Sequence, residues 1–236
     1  MQKLMGLMRS AMERYGMIEE GDRIAVGLSG GKDSVALLAA LAEMRSFYPQ
    51  TFNLTALILD PGFEGKEADF APLEQLCRNL DIPFVIKRSQ IGKHIFTDRE
   101  EKNPCSLCAR MRRGALHDMA KAANCSKLAL GHHLDDMAET FLMNLLNGAV
   151  IDSFAPVTCL SRKNLTLIRP MIFARESDTA RVVRNGSLPV IKSECPVDGK
   201  TERAEVKQLL NTLDRKYGSV REKILKALQS GEIAGF

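Results

Sequence analysis

Apolar positions along the chain fall into two alternating patterns. Runs of strand length occur at Ile24–Leu28, Leu54–Leu59, Pro83–Lys87 and Lys127–Gly131. Longer segments with helical spacing follow them, at Ser34–Arg45, Lys66–Leu80, Cys105–Ala123 and Leu134–Leu146. A strand–helix alternation of this kind predicts an α/β fold with a doubly wound, mostly parallel sheet covered on both faces. Leu165–Ile168 reads as a further strand stopped by Pro170, and residues 98–104 and 148–164 read as loops. The spacing of Leu4, Leu7, Met8 and Met12 predicts an amphipathic N-terminal helix. Beyond about Ile172 the chain turns polar and mostly helical in pattern. The predicted organisation is an N-terminal helix over 1–20, a sheet domain over 21–172 and a C-terminal helical extension over 173–236. The first helix either pairs two chains as a homodimer or caps the core, and capping is preferred.

Composition narrows the setting. The 236 residues are 45% hydrophobic and carry a net charge of +4, a mildly basic balance that permits a polyanionic partner without demanding one. No apolar run approaches the roughly 20 residues needed to cross a bilayer. The first segment lacks the apolar stretch and small-residue cleavage site of a signal peptide. Both features predict a cytoplasmic protein without a membrane partner. In that compartment six cysteines argue against a disulfide framework and leave metal binding, reactive thiols or burial.

Residues 24–41, IAVGLSGGKDSVALLAAL, pass from an apolar strand through a glycine loop into an apolar helix. The Walker A pattern fails twice, because Val26 stands where its first glycine belongs and Asp33 where its Ser/Thr belongs. The loop is still built for an anion. Gly30 and Gly31 let backbone N–H groups approach phosphate oxygens at a helix N-terminus, Ser29 and Ser34 add hydroxyls, and Lys32 adds a cation. Asp33 would repel bare phosphate, so it suits a Mg²⁺ ion or a helix N-terminal carboxylate. Asp60 ends the second strand, where doubly wound sheets bind ligands, or it caps the turn before Pro61 and Gly62.

In NPCSLCARMRRG, residues 103–114, Asn103 suits a helix N-cap and Pro104 the first helical position. Cys105 and Cys108 then share one helix face, where the helix dipole and Arg110, Arg112 and Arg113 favour thiolates. Cys195 follows a short strand-like run and supplies a third sulfur; Cys77 and Cys125 read as buried, and Cys159 is ambiguous. Three thiolates could hold a [4Fe–4S] cluster with one open iron or a zinc ion with one open position, and the spacing does not choose. In GHHLDD, residues 131–136, His132, His133, Asp135 and Asp136 crowd a strand-to-helix turn. Carboxylates there could hold Mg²⁺ or orient a substrate.

SGGKDS resembles the PP-loop of the N-type ATP pyrophosphatases, which cleave ATP between the α and β phosphates and adenylate a substrate oxygen. The order SGGKDS, LDPGF (59–63), CSLCARMRRG (105–114), LGHHLDDMAET (130–140), LIRPMIFARE (167–176) and a late cysteine resembles the tRNA 2-thiocytidine synthetase (TtcA) family, from about residue 20 to the end. The resemblance implies adenylation of the C2 oxygen of cytidine 32 in a tRNA, followed by its replacement with sulfur. It implies ATP and Mg²⁺, and a [4Fe–4S] cluster on Cys105, Cys108 and Cys195. Lys32, Asp33, Asp135 and Asp136 are then the catalytic set. The nucleotide-binding set is Leu28, Ser29, Gly30, Gly31, Lys32, Asp33, Ser34, Asp60, Arg113, Gly131 and His132. The sulfur donor would be a cysteine desulfurase or free sulfide. Arg110, Arg112 and Arg113 and C-terminal cations such as Lys207, Arg215 and Lys216 would track tRNA phosphates. The rival readings are a lysidine-type ligase or a persulfide-using thiouridine synthase, each with structural zinc, and a non-enzymatic RNA-binding module that uses ATP only as a ligand.

Overall fold

The computed structural model describes residues 1–63, 68–98, 104–197, 199 and 201–236. The strands are β1 (Asp22–Gly27), β2 (Phe52–Asp60), β3 (Phe84–Arg88), β4 (Lys127–Ala129), β5 (Val157–Leu160) and β6 (Leu165–Ile168). Among the described residues they form one sheet in the order β3-β2-β1-β4-β6-β5. All neighbours are parallel except β5, which runs antiparallel to β6 on the edge. The chain winds outward in one direction from β1 to β2 and β3, and in the other from β4 onward. The crevice between the carboxyl ends of β1 and β4 is therefore the topological switch point.

The helices are α1 (Gln2–Arg14), α2 (Lys32–Met44), α3 (Ala71–Asn79), α4 (Ile91–Lys93), α5 (Pro104–Ala122), α6 (Leu134–Gly148), α7 (Glu176–Asn185), α8 (Glu202–Tyr217) and α9 (Val220–Ser230). β2 is apolar on both faces at its carboxyl end, as a strand covered by helices on both sides must be. α2 buries nine of its thirteen residues, because it lies between the sheet and the α1–α7 pair. α1 buries Leu4, Met5, Met8, Ala11 and Met12 in the same apolar core as β1 and α2, so it caps the core. α7 joins that core through Val182, while α8 and α9 pack on α6.

Several expectations need correction. Residues 148–164 are not all loop: Val157–Leu160 form β5, and a 3₁₀ turn at Ser161–Lys163 leads through Asn164, at φ 47°, into β6. The helix expected from Lys66 to Leu80 runs over Ala71–Asn79, with Pro72 in its first turn; residues 68–70 before it have no regular structure. The run before Cys195 is not a strand. Residues 188–195 have no regular structure, and Ile191 N–H donates to the Gly30 carbonyl at 2.9 Å, tying the segment across the glycine loop. Asn103, expected to cap α5, lies outside the described residues; Pro104 does open the helix. Among the described residues no helix is long and apolar enough to cross a membrane.

Candidate active site

The glycine loop is held by its own serines. Ser29 N–H donates to Ser34 Oγ at 3.1 Å, the two hydroxyls lie 3.1 Å apart, and Ser34 Oγ donates to the Gly31 carbonyl at 2.9 Å. Gly30 sits at φ +86°, a conformation that favours glycine, and a Cβ there would lie 3.1 Å from Ile191 Cβ. The other wall of the crevice is also closest at a glycine. A Cβ on Gly131 would lie 3.1 Å from Ser34 N and 3.2 Å from the Asp33 carbonyl carbon, tighter than ordinary contact, so a side chain there would push the β4–α6 turn and the start of α2 apart by a few tenths of an ångström.

Two adjoining cavities, of about 300 and 450 Å³, open over this crevice and share Ser29, Asp33, Leu59 and Arg112. The first is walled by Gly27, Leu28, Leu57 and Leu59, apolar surfaces suited to a flat base, and by Asp33, His132 and Asp136. The second reaches Lys32, Asp60 and the segment 191–194. The outward N–H groups of the first turn of α2 face an anion with the positive end of the helix dipole. Asp60 is buried and does cap the turn, accepting from Gly62 N–H at 2.9 Å and from Arg88 Nη1 at 3.1 Å.

Lys32 Nζ lies 2.9 Å from both Asp33 Oδ2 and Glu176 Oε1. Burial would lower its pKa, but these carboxylates raise it above the ordinary lysine value. Burial opposes ionisation of Glu176 too, yet hydrogen bonds from Lys207 and Lys32 hold its carboxyl down at about 2. Lys207, expected to track RNA, instead pairs within the chain, its Nζ 2.5 Å from Glu176 Oε2. Thr179 Oγ1 donates to Asp33 Oδ1 at 2.5 Å. Asp136 and His133 form a capping box on α6, with His133 N–H donating to Asp136 Oδ2 at 3.0 Å.

Asp135 is placed away from the cavities, contrary to the catalytic role expected of it. Its carboxylate accepts Glu176 N–H at 2.7 Å and pairs with Arg221 Nε at 2.9 Å and Arg175 Nε at 3.3 Å. Arg221 is itself fully buried and bridges to Asp214 and Asn211. Asp135 is therefore a positioning residue: it joins α6, α7 and the C-terminal helices, and through Glu176 it reaches Lys32.

Cys105 and Cys108 open α5, the first exposed and the second buried. Cys195 packs on the same apolar cluster as Cys108. Burial pushes the Cys108 thiol up, contrary to the sequence-based expectation. Arg112 works in the opposite direction by charge and a hydrogen bond, and Cys195 and Cys105 act to raise it further. Cys108 thus lies near both of the other sulfurs. Among the described residues no three His, Cys, Asp or Glu side chains already form a metal-binding group. The donor set nevertheless fits an iron–sulfur cluster in its chemistry: three free thiols, an apolar backing of Leu107 and Met111, and one arginine. Cys77 and Cys125 are buried as expected, and burial pushes Cys77 up to about 11.

Arg113, expected in the nucleotide set, is exposed and does not line either nucleotide cavity; Arg112 takes that place. Helical phase carries the signal. Arg112 stands four residues after Cys108 and seven after Cys105, on the same face of α5, whereas Arg113 is turned about 100° away.

A nucleotide-sized crevice at a switch point, with a serine–glycine–lysine loop in place of a Walker A motif, defines a PP-loop protein. Residues 4–213 match the family model described as PP-loop domain. The chain is 38% identical over 220 residues to the tRNA-cytidine(32) 2-sulfurtransferase of Geotalea uraniireducens, covering 92% of this chain and 87% of that one. It is 34% identical over 239 residues to that of Geobacter sulfurreducens, covering 96% and 89%. It therefore belongs to the tRNA-cytidine(32) 2-sulfurtransferase family of PP-loop proteins. Among solved structures, the U34-tRNA thiolase NcsA from Methanococcus maripaludis with its [4Fe–4S] cluster superposes with a TM-score of 0.78. That match has 25% identity and covers 95% of this chain and 77% of that one.

Proposed function

We propose that this chain is an ATP-dependent tRNA thiolase that converts cytidine 32 of the anticodon loop to 2-thiocytidine. The observation that carries this reading is the place of Arg112. It lines both nucleotide cavities and stands one helical turn after Cys108 on the same face of α5, so adenylation and sulfur delivery share one wall.

The glycine loop and Lys32 bind the phosphates of ATP. Asp33 and Asp136, which line one cavity, are the carboxylates that would hold a Mg²⁺ ion against them, where it would neutralise the phosphate charge. The target base leaves its stack to enter the site. Its C2 oxygen attacks the α-phosphate and pyrophosphate departs. Sulfide sulfur then adds at C2, and the former C2 oxygen leaves within AMP. A [4Fe–4S] cluster on Cys105, Cys108 and Cys195 would have one iron without a protein ligand, available to carry that sulfur. Arg112 offsets negative charge between the cysteines and the nucleotide. Free sulfide supplies that sulfur directly, or a cysteine desulfurase supplies it as a persulfide that a thiol reductant releases as sulfide, the thiol leaving as a disulfide.

The test is anaerobic purification with visible spectroscopy and iron and sulfide assays. The wild type should be brown with about four irons per chain, and Cys105→Ala should lose the colour. A colourless wild type with stoichiometric zinc would overturn the cluster and turn the reading towards an amine or persulfide nucleophile.

A further inference from the structure

A cavity of about 320 Å³ opens beyond the nucleotide site, where His117 of α5 meets Ser161, Arg162 and Lys163 of the turn after β5. A smaller one of about 240 Å³ lies between the two, lined in part by Arg113, Leu116, His117 and His132. His117 belongs to both of these cavities, and the smaller one shares Arg112, Leu116, Leu130 and His132 with the nucleotide cavity. The three hollows form one track along α5. The helix repeat explains it: Arg112 and Leu116 form one stripe and Arg113 and His117 the next.

His117 is 7% exposed, and its Nε2 has no hydrogen-bond partner. His132 Nδ1, at the inner end of the track, is in the same condition. A buried polar atom left unpaired is unfavourable and marks a place where a ligand or water completes the bonding. The surroundings favour an anion. Besides burial, Lys163 and Arg113 act on the His117 ring as positive charges, and Asp118 is the carboxylate opposing them. Lys163 Nζ does pair with Asp118 Oδ1 at 2.9 Å, but Asp118 is largely exposed, and such surface pairs are weak and yield to a better partner.

The structure assigns the His117–Arg162–Lys163 cavity as a phosphodiester subsite for the tRNA strand that flanks the target nucleotide. Arg162 and Lys163 meet the phosphate oxygens. The neutral imidazole bonds the same nucleotide, whose ribose 2′-hydroxyl both donates and accepts. This assignment rests on the tRNA thiolase reading. A free phosphate shares the anion chemistry, so the experiment separates the two.

Binding of the full-length, cluster-loaded protein to tRNA would be followed by fluorescence anisotropy between about 50 and 200 mM salt. The Arg162→Ala/Lys163→Ala double variant should bind at least tenfold more weakly at low salt, and its log–log salt slope should flatten by about 1.4, from two lost contacts to a single strand. His117→Leu should weaken binding severalfold with the slope unchanged. Removing an unpaired buried nitrogen should leave its melting temperature unchanged or raised. The KM for ATP and the cluster spectrum should match wild type in both. Wild-type tRNA affinity and slope in the variants would overturn the subsite. So would millimolar inorganic phosphate occupying the cavity, as read by its protection from heat, with tRNA binding untouched by the substitutions. If wild type binds tRNA through these residues yet makes no 2-thiocytidine, the thiolase reading fails and the phosphodiester subsite stands.

Discussion

Substituting Arg221 with methionine tests whether Asp135 acts by position or by chemistry. The Asp135 side chain is 7% exposed and that of Arg221 is 2%, and their atoms meet at 2.9 Å. Removing one partner of a buried pair typically costs about 3–5 kcal/mol, because the other charge is stranded. Here Arg175 remains 3.3 Å from Asp135, so we expect about 2–3 kcal/mol for Arg221→Met. At roughly 2–4 °C per kcal/mol for a chain of this size, the melting temperature should fall by about 4–12 °C. Asp135→Asn keeps an oxygen for Glu176 N–H and leaves Arg221 with Asp214 and Asn211. A double-mutant cycle on urea unfolding should therefore return a coupling of about 2 kcal/mol. Both variants should raise the KM for ATP severalfold, since both loosen the start of α7 and with it the Glu176–Lys32 contact, while cluster content stays at the wild-type level. A coupling below about 0.5 kcal/mol would refute the ion-pair account. A thousandfold fall in kcat for Asp135→Asn alone, with Arg221→Met near wild type, would return Asp135 to the catalytic set.

Gly30→Ala should weaken both the fold and ATP binding. It combines an alanine at φ +86° with a 3.1 Å approach to Ile191, for an expected loss of about 1–3 kcal/mol by chemical denaturation; an unchanged midpoint would contradict the strap across the loop. Glu176 sets an acid limit. Its folded value of about 2 lies below the ordinary carboxylate value of about 4.3, so its contribution is full above that unfolded value and is lost as pH falls towards 2. Glu176→Gln should make the decline in unfolding free energy between about pH 5 and pH 2.5 shallower by about 1 kcal/mol, after allowance for solvent screening. Alkylation of cluster-free protein, read by mass spectrometry, should label the exposed Cys105 and Cys159 first and Cys77 last, because burial both shields Cys77 and pushes it up to about 11. Labelling of Cys77 at the rate of Cys159 would contradict the packing of α3.

What was legible in the sequence was what short-range pattern carries. The apolar run ending at Leu28, the two glycines and the apolar face of α2 fix the loop locally, and α6 follows from the strand-like run ending at Gly131 and the helical spacing that begins at Leu134. The missed features depend on partners distant in the chain. β5 is four residues long with no clear alternation, and it is a strand because β6 pairs with it. Asp135 looked like its neighbour Asp136, but a helix turns successive residues about 100° apart, so one faces the cavity and the other faces Arg221, 86 positions later. The direction of the Cys108 shift reversed because the apolar cluster around it outweighs Arg112, and burial of that kind is assembled from α4, α5 and the segment at Cys195.

The most direct test of the central claim is nucleoside mass spectrometry of tRNA incubated anaerobically with the reconstituted protein, ATP, Mg²⁺ and sulfide. The account predicts 2-thiocytidine at position 32, formed with one pyrophosphate and one AMP per base. It predicts no product with Lys32→Ala, which removes the cation at the phosphates, or with Cys105→Ala. Thiolated product from Cys105→Ala at the wild-type rate, or pyrophosphate release with no sulfur in the RNA, would contradict it.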